Sequence, residues 1–164
     1  AYEIMPSLVG SEMCIRDRSS IAEVYGLRRK MEEIQELARA TSRAGGRAID
    51  IPSIRRRLQR AEIRIESMRL NGQRFLTKQL RGAPLGSEPS INKLHRAALE
   101  IELGELAMEI TGSASTLMPG AEDAVDGGRW AAFALGWPEV VIGGGTPNIQ
   151  KNIIAERILG LPKD

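Results

Sequence analysis

The sequence holds one cysteine and one histidine in 164 residues. A single chain with so few thiol and imidazole groups builds neither a disulfide framework nor a protein-only zinc site. Aromatic residues are scarce too, at 4%, so a core must be assembled from Leu, Ile, Met and Ala, a set that favours helices over sheets. No apolar run approaches the roughly 20 residues of a membrane span, and no basic region followed by an apolar one marks a signal peptide. A cytoplasmic setting is expected. Net charge is nearly absent, because 23 basic and 21 acidic residues leave only +2, which argues against a nucleic-acid or membrane-surface binder. What is present is 42% hydrophobic and 27% charged residues, a globular composition in a chain the length of one ordinary domain.

Residues 7–18, SLVGSEMCIRDR, precede a region that becomes periodic at once, and they resemble a translated sequencing-adaptor remnant. Residues 1–18 are therefore expected to be a non-native or disordered leader, and residues 19–164 the folded domain. Cys14 lies in the leader, which leaves the domain without cysteine.

From Ser19 onward, Val24, Leu27, Met31, Ile34 and Ala38 recur at spacings of three and four, which predicts a first amphipathic helix. A second is predicted from DIPSIRRR, with Asp50 as cap, Pro52 early in the first turn, and a stripe of Ile54, Leu58, Ala61, Ile65, Met68, Gly72 and Phe75. Gly82 and Pro84 end it, and Ser87 or Ser90 is the candidate cap of a third. On the third, Ile91, Leu94, Ala98, Ile101 and Met108 form a stripe that Leu99, Leu103, Leu106 and Ile110 widen, so contact on two sides is expected before Gly112 ends the helix. Residues 112–145 break every long period; a short helix near Arg129 to Leu135 fits, Trp130 and Trp137 should be buried against the bundle, and EVVIG reads as buried extended loop. The last helix has Thr146 as cap and Pro147 at its first position, buries Ile149, Ile153 and Ile154, and stops before Gly160 and Pro162. The expected fold is all-α: an up-and-down four-helix bundle, with a long ordered loop before the last helix and no sheet.

Several groupings bear on chemistry. The triple glycine Gly143 to Gly145 lacks the Gly-Lys-Ser/Thr of a Walker loop and the strand of a dinucleotide-binding turn, leaving a structural turn or a ligand-contacting helix N-terminus. Arg55, Arg56, Arg57 and Arg60 are followed by Glu62 and Glu66, the pattern of a solvated face. His95 stands without a second ligand and reads as a surface or interface residue, while Glu100, Glu102, Glu105 and Glu109 lack the Glu-x-x-His motif of a di-iron bundle, so no metal site is expected.

The closing run GGGTPNIQKNIIAERILGLPKD resembles the terminal signature of acyl-CoA dehydrogenases, and RAGGRAIDIPSIRRRLQRAEIRIESMRL resembles the first half of their C-terminal helical domain. The likeness extends from residue 19 to 164. It implies an FAD-dependent parent protein that removes hydrogens α and β to an acyl-CoA thioester and passes electrons to an electron-transfer flavoprotein. It also implies that this domain mediates homo- or hetero-oligomeric assembly with other subunits of the family. By the same resemblance, Gly145, Thr146 and Asn148 contact the flavin, and Arg43 reaches its adenosine diphosphate part across the subunit interface, where a guanidinium fork suits pyrophosphate oxygens.

Four positions depart from that pattern. Gly46 replaces a family phenylalanine, Ile54 aligns with a glutamine, and Glu109 stands where many members have glutamine. Most consequential is Gly144, where many members carry the catalytic glutamate; glycine performs no acid-base work. Other members carry the base on the first helix, which an ungapped count places near Asp17, and Glu23 is the nearest carboxylate of the domain. No residue of this chain is thus assigned as catalytic, and two readings stand: the C-terminal part of an acyl-CoA dehydrogenase, or a non-catalytic partner subunit that completes a neighbour's flavin site.

Overall fold

A computed structural model describes residues 21–43, 45–84 and 86–162; the leader and Asp17 lie outside them. Three long helices, α1 (Ile21–Ala40), α2 (Pro52–Leu80) and α3 (Pro89–Thr111), pack against one another, and α6 (Pro147–Arg157) lies on α3. Between α3 and α6 run two 3-10 turns and two short helices, α4 (Arg129–Leu135) and α5 (Trp137–Ile142). The all-α four-helix architecture is as expected, and the long connection is ordered. One departure is a minimal antiparallel ladder after α1, with Ser42 opposite Arg47 and Arg43 opposite Gly46.

The one-sided stripes of α1 and α2 are buried as spaced, from Val24 to Ala38 and from Ile54 to Phe75. On α3 the emphasis is reversed. Leu99, Leu103, Leu106 and Ile110 are fully buried, whereas Ile91, Leu94, Ile101 and Met108 are half-buried and Ala98 is exposed. The reason is that α3 meets α1 and α2 on one side and α4, α5 and α6 on others, so its core face is the one shared between neighbours.

The fourth element of the core is α4, not α6. Trp130 belongs to the main cluster, which includes no residue of α6. The Trp130 indole donates to Asp126 at 2.7 Å, and Arg129 reaches Glu33 on α1 at 3.1 Å. Lys30 of α1 lies over the Phe133 ring, 5.0 Å from its centre. α4 comes this close because Gly104 of α3 has no side chain: a Cβ there would stand 2.9 Å from the Ala134 Cα.

Other local expectations are corrected. EVVIG is helical and largely exposed, since Pro138 sits in the first turn of α5 and Gly143 closes it. Trp137 remains 46% exposed. On α6, Ile149 is exposed, Ile153 and Ile154 are half-buried, and the buried residue is Gln150. Asp50 does not cap α2; Ile51 holds that position and the Asp50 carboxylate receives Arg47 and Arg55. Neither Ser87 nor Ser90 caps α3, whose N-cap is Glu88.

Polar contacts made by α2 residues spaced seven apart line the seam between α2 and α3. Arg57 meets Glu109 at 2.6 Å, Arg64 meets Glu102 at 2.5 Å, Asn71 meets Asn92 at 3.4 Å, and Lys78 meets Glu88 at 2.6 Å. Residues of α2 ascend as residues of α3 descend, which sets the antiparallel register. No helix among the described residues is long and apolar enough to cross a membrane.

Two mid-helix glycines, Gly104 and Gly26, give opposite expectations. Gly104→Ala forces α4 off α3 and should destabilise the fold by about 1–3 kcal/mol. Gly26→Ala, where nothing lies within 4 Å, should stabilise it by about 0.5–1 kcal/mol, both read by urea unfolding. Glu88 supplies a pH prediction: its hydrogen bond with Lys78, then backbone donors, hold its carboxyl below 4.5. A folded pKa below the unfolded one gives stability that is present above about pH 4.5 and lost as pH falls through the folded value. Glu88→Gln should therefore flatten part of the acid limb of the stability curve.

Candidate functional site

The run Gly143 to Thr146 joins α5 to α6 with each glycine doing a separate job. Gly143 donates to Glu139 O at 2.8 Å, and a Cβ on it would lie 2.6 Å from that same oxygen. Gly144 and Gly145 take φ of +70° and +98°, where side chains are strained. The turn delivers Thr146 as the N-cap of α6, its Oγ1 3.5 Å from the Ile149 amide, and Pro147 follows at the start of the helix. The cap is long, so the Thr146 hydroxyl keeps its proton and a lone pair for another partner. Thr146 and Asn148 are both exposed on this first turn, where helix amides lack intrahelical acceptors and the dipole favours anionic or electron-rich groups. Gly145, Thr146 and Asn148 therefore form one cluster.

Beneath it lies a residue that pattern reasoning passed over. Gln150 is 1% exposed, its Nε2 donates to Gly144 O at 2.8 Å, and its Oε1 is buried without a donor among the described residues. Its signal in the sequence was a polar residue on the face of α6 where Ile153 and Ile154 called for an apolar one.

Arg43 is elsewhere. It sits on the small ladder with its guanidinium carbon 4.0 Å from where a Gly112 Cβ would be, at the C-terminal end of α3. α5, just ahead of the glycine turn, is anchored at the other end, where Lys93 donates to Val140 O. Lys93 and Gly112 are about 28 Å apart along α3 at about 1.5 Å per residue. Arg43 is exposed and has no carboxylate partner among the described residues, whereas Arg47 beside it is held by Asp50 at 3.0 Å. The ladder thus offers one free guanidinium.

Several of the other singled-out groups are engaged. Arg57 is the lowest rung of the seam: it binds Glu109, stands 3.6 Å from Glu105, and donates to Glu102 O at 3.1 Å. It is therefore a packing cation, while Arg55 pairs with Asp50, and the run is not a free basic stripe. Glu23 is bound by Arg96, which also holds Glu100 at 2.7 Å, so its carboxylate is not a free base. His95 lies at the surface, and desolvation first and Arg64 second hold its imidazole below the usual 6.5. Among the described residues no group of His, Cys, Asp and Glu is arranged to hold a metal ion.

Comparison with known proteins identifies the family of the chain. Residues 16–159 match the family described as acyl-CoA dehydrogenase, C-terminal domain, and the chain belongs to that family. It is 34% identical over 149 residues to the acyl-CoA dehydrogenase IpdE1 of Mycobacterium tuberculosis, covering 91% of this chain and 36% of that protein. Against FadE26 of the same organism the identity is 31%, covering 88% and 36%. Among solved structures, the ChsE4-ChsE5 complex from Mycobacterium tuberculosis superposes with a TM-score of 0.72 at 30% identity, over 88% of this chain and 37% of that one. PigA with FAD and proline superposes with a TM-score of 0.72 at 27% identity, over 90% and 37%. The chain thus spans little more than a third of the length of its relatives.

The fate of Glu109 is testable. A double-mutant cycle with Arg57→Ala and Glu109→Ala should return a coupling of roughly 1 kcal/mol in urea unfolding, since both side chains are partly buried at 2.6 Å. Coupling near zero would mean that Glu109 faces any bound anion as an unneutralised charge.

Proposed function

We propose that this chain is the flavin-binding and assembly domain of an FAD-dependent acyl-CoA dehydrogenase, an oxidoreductase acting on the CH–CH bond α,β to an acyl-CoA thioester in lipid metabolism. The observation that carries the reading is the glycine turn that sets Gly145, Thr146 and Asn148 on the exposed first turn of α6, within a chain that belongs to the family.

The residues present fit the cofactor. The two glycines at positive φ bring the exposed first turn of α6 into place, and Thr146 retains hydrogen-bonding capacity beyond its long cap. The Thr146 hydroxyl donates to an acceptor on the flavin, and the Asn148 amide, both donor and acceptor, adds a second contact. Arg43, the free guanidinium, serves pyrophosphate oxygens. Because it lies against the far end of α3 from the anchor of α5, it serves the flavin held by a neighbouring subunit, so each site is completed by assembly. Glu109 does not oppose that role, since Arg57 neutralises it. FAD supplies the hydride acceptor for dehydrogenation, and an electron-transfer flavoprotein receives the electrons. The site works in the cytoplasm.

The base is not supplied by the described residues. Gly144 has no carboxylate, and its φ of +70° would strain any glutamate placed there. This observation supports the second reading, in which the chain is a non-catalytic partner that completes a neighbour's flavin site in a mixed assembly. The ChsE4-ChsE5 complex, to which the chain is similar, unites two differently named proteins.

The full-length protein containing this domain should purify with an oxidised-flavin band near about 450 nm. Thr146→Ala and Asn148→Ala should each weaken FAD retention by about five- to tenfold, the worth of one hydrogen bond. A colourless full-length protein that does not take up added FAD would sink both readings. Bleaching of the flavin by acyl-CoA in the protein alone selects the enzyme; bleaching only after a second subunit is added selects the partner.

A further inference from the structure

Gln150 ties both ends of the segment that carries the proposed flavin contacts. Its backbone amide donates to Thr146 O at 3.0 Å, the first hydrogen bond of α6, and its side-chain Nε2 donates to Gly144 O at 2.8 Å. Gly145, Thr146, Pro147, Asn148 and Ile149 lie between these two anchors. The same Nε2 stands 2.7 Å from where a Cβ of Gly145 would be, so the amide occupies the space that the missing side chain leaves. The turn and the amide thus fill each other. The arrangement has a cost, because Oε1 is sealed without a donor among the described residues, which an apolar side chain of similar shape would avoid. A buried amide kept with one half unsatisfied is retained for what the other half holds.

We propose that Gln150 is the positioning residue of the glycine turn: it fixes the Gly144 carbonyl and thereby the angle at which Thr146 and Asn148 face the cofactor. At 1% exposure it touches no ligand and acts only through the turn. The cofactor half of this inference rests on the flavin reading above; the turn half does not.

Two measurements separate them. In the chain itself, hydrogen exchange at the Gly145 amide, which donates to Ile142 O at 3.2 Å, reports the turn. Gln150→Met should speed it about fivefold or more, the loss of one hydrogen bond, while the amides of Leu103 and Leu106 on α3 exchange as before. Gly145→Ala leaves Gln150 in place but displaces its amide, and should speed exchange at position 145 as well. Combined with Gln150→Ala, which removes the clash, its effect should fall short of the product of the two single changes. Unchanged exchange in both Gln150→Met and Gly145→Ala overturns the positioning role. In the full-length protein, Gln150→Met should weaken FAD retention about fivefold and shift the flavin absorption band. Faster exchange with wild-type retention and spectrum overturns the link to the cofactor. A full-length wild-type protein that binds no FAD overturns the flavin reading alone, and the exchange data then still decide the role of Gln150 in the turn.

Discussion

Enclosure of α3 is the constraint on which the rest of the structure depends. It is touched by α1, α2, α4, α5 and α6, so most of its length must accommodate a neighbour, with only His95, Ala98 and Glu105 exposed. A helix in that position cannot be amphipathic in the ordinary sense, and its residues are chosen face by face: Leu and Ile toward the two long helices, Gly104 where α4 comes closest, charged residues along the α2 seam. The two regions proposed to contact the cofactor inherit their places from it. α5 leads into the glycine turn from one end of α3, and Arg43 rests against the other.

How much of this could be read in advance depends on how many neighbours an element has. α1 and α2 each bury one stripe, and spacing of three and four identified every residue of the α2 stripe and all but Leu37 of the α1 stripe. α3 defeated the same method because a wide apolar surface does not say which part of it is innermost. The segment after Gly136 misled by composition: two valines and an isoleucine suggest an extended chain, but Pro138 in a first turn and a closing glycine make six residues of helix. Capping failed where a charged side chain had a better partner, as Asp50 did in Arg47 and Arg55. At the candidate site, Thr146 as cap and Pro147 as first residue were legible because local chemistry alone decides them. Gln150 was not, because its role depends on a carbonyl whose position only the folded turn defines.

The site residues raise the same distinction. Gly145, Thr146 and Asn148 come together because they are neighbours in sequence, whereas Arg43 joins them in no contact within one chain. If the proposed contacts hold, groups at separated ends of one helix make two half-sites, and symmetry between copies is the simplest way for two halves to make a whole. Glu109 is paired rather than free, since Arg57 holds it at 2.6 Å. Gly144 lacks a carboxylate and takes a φ of +70°, where a side chain would be strained.

The seam of Arg57, Arg64, Asn71 and Lys78 against Glu109, Glu102, Asn92 and Glu88 has a consequence for how such a domain can change over evolutionary time. One residue inserted into α2 turns everything beyond it by about 100°, carrying each later rung off the seam and the apolar stripe with it. Seven residues turn it by almost two full circles and leave both nearly in place. Lineages can therefore lengthen or shorten α2 with least disturbance by whole heptads, while the loops remain free to vary in any increment.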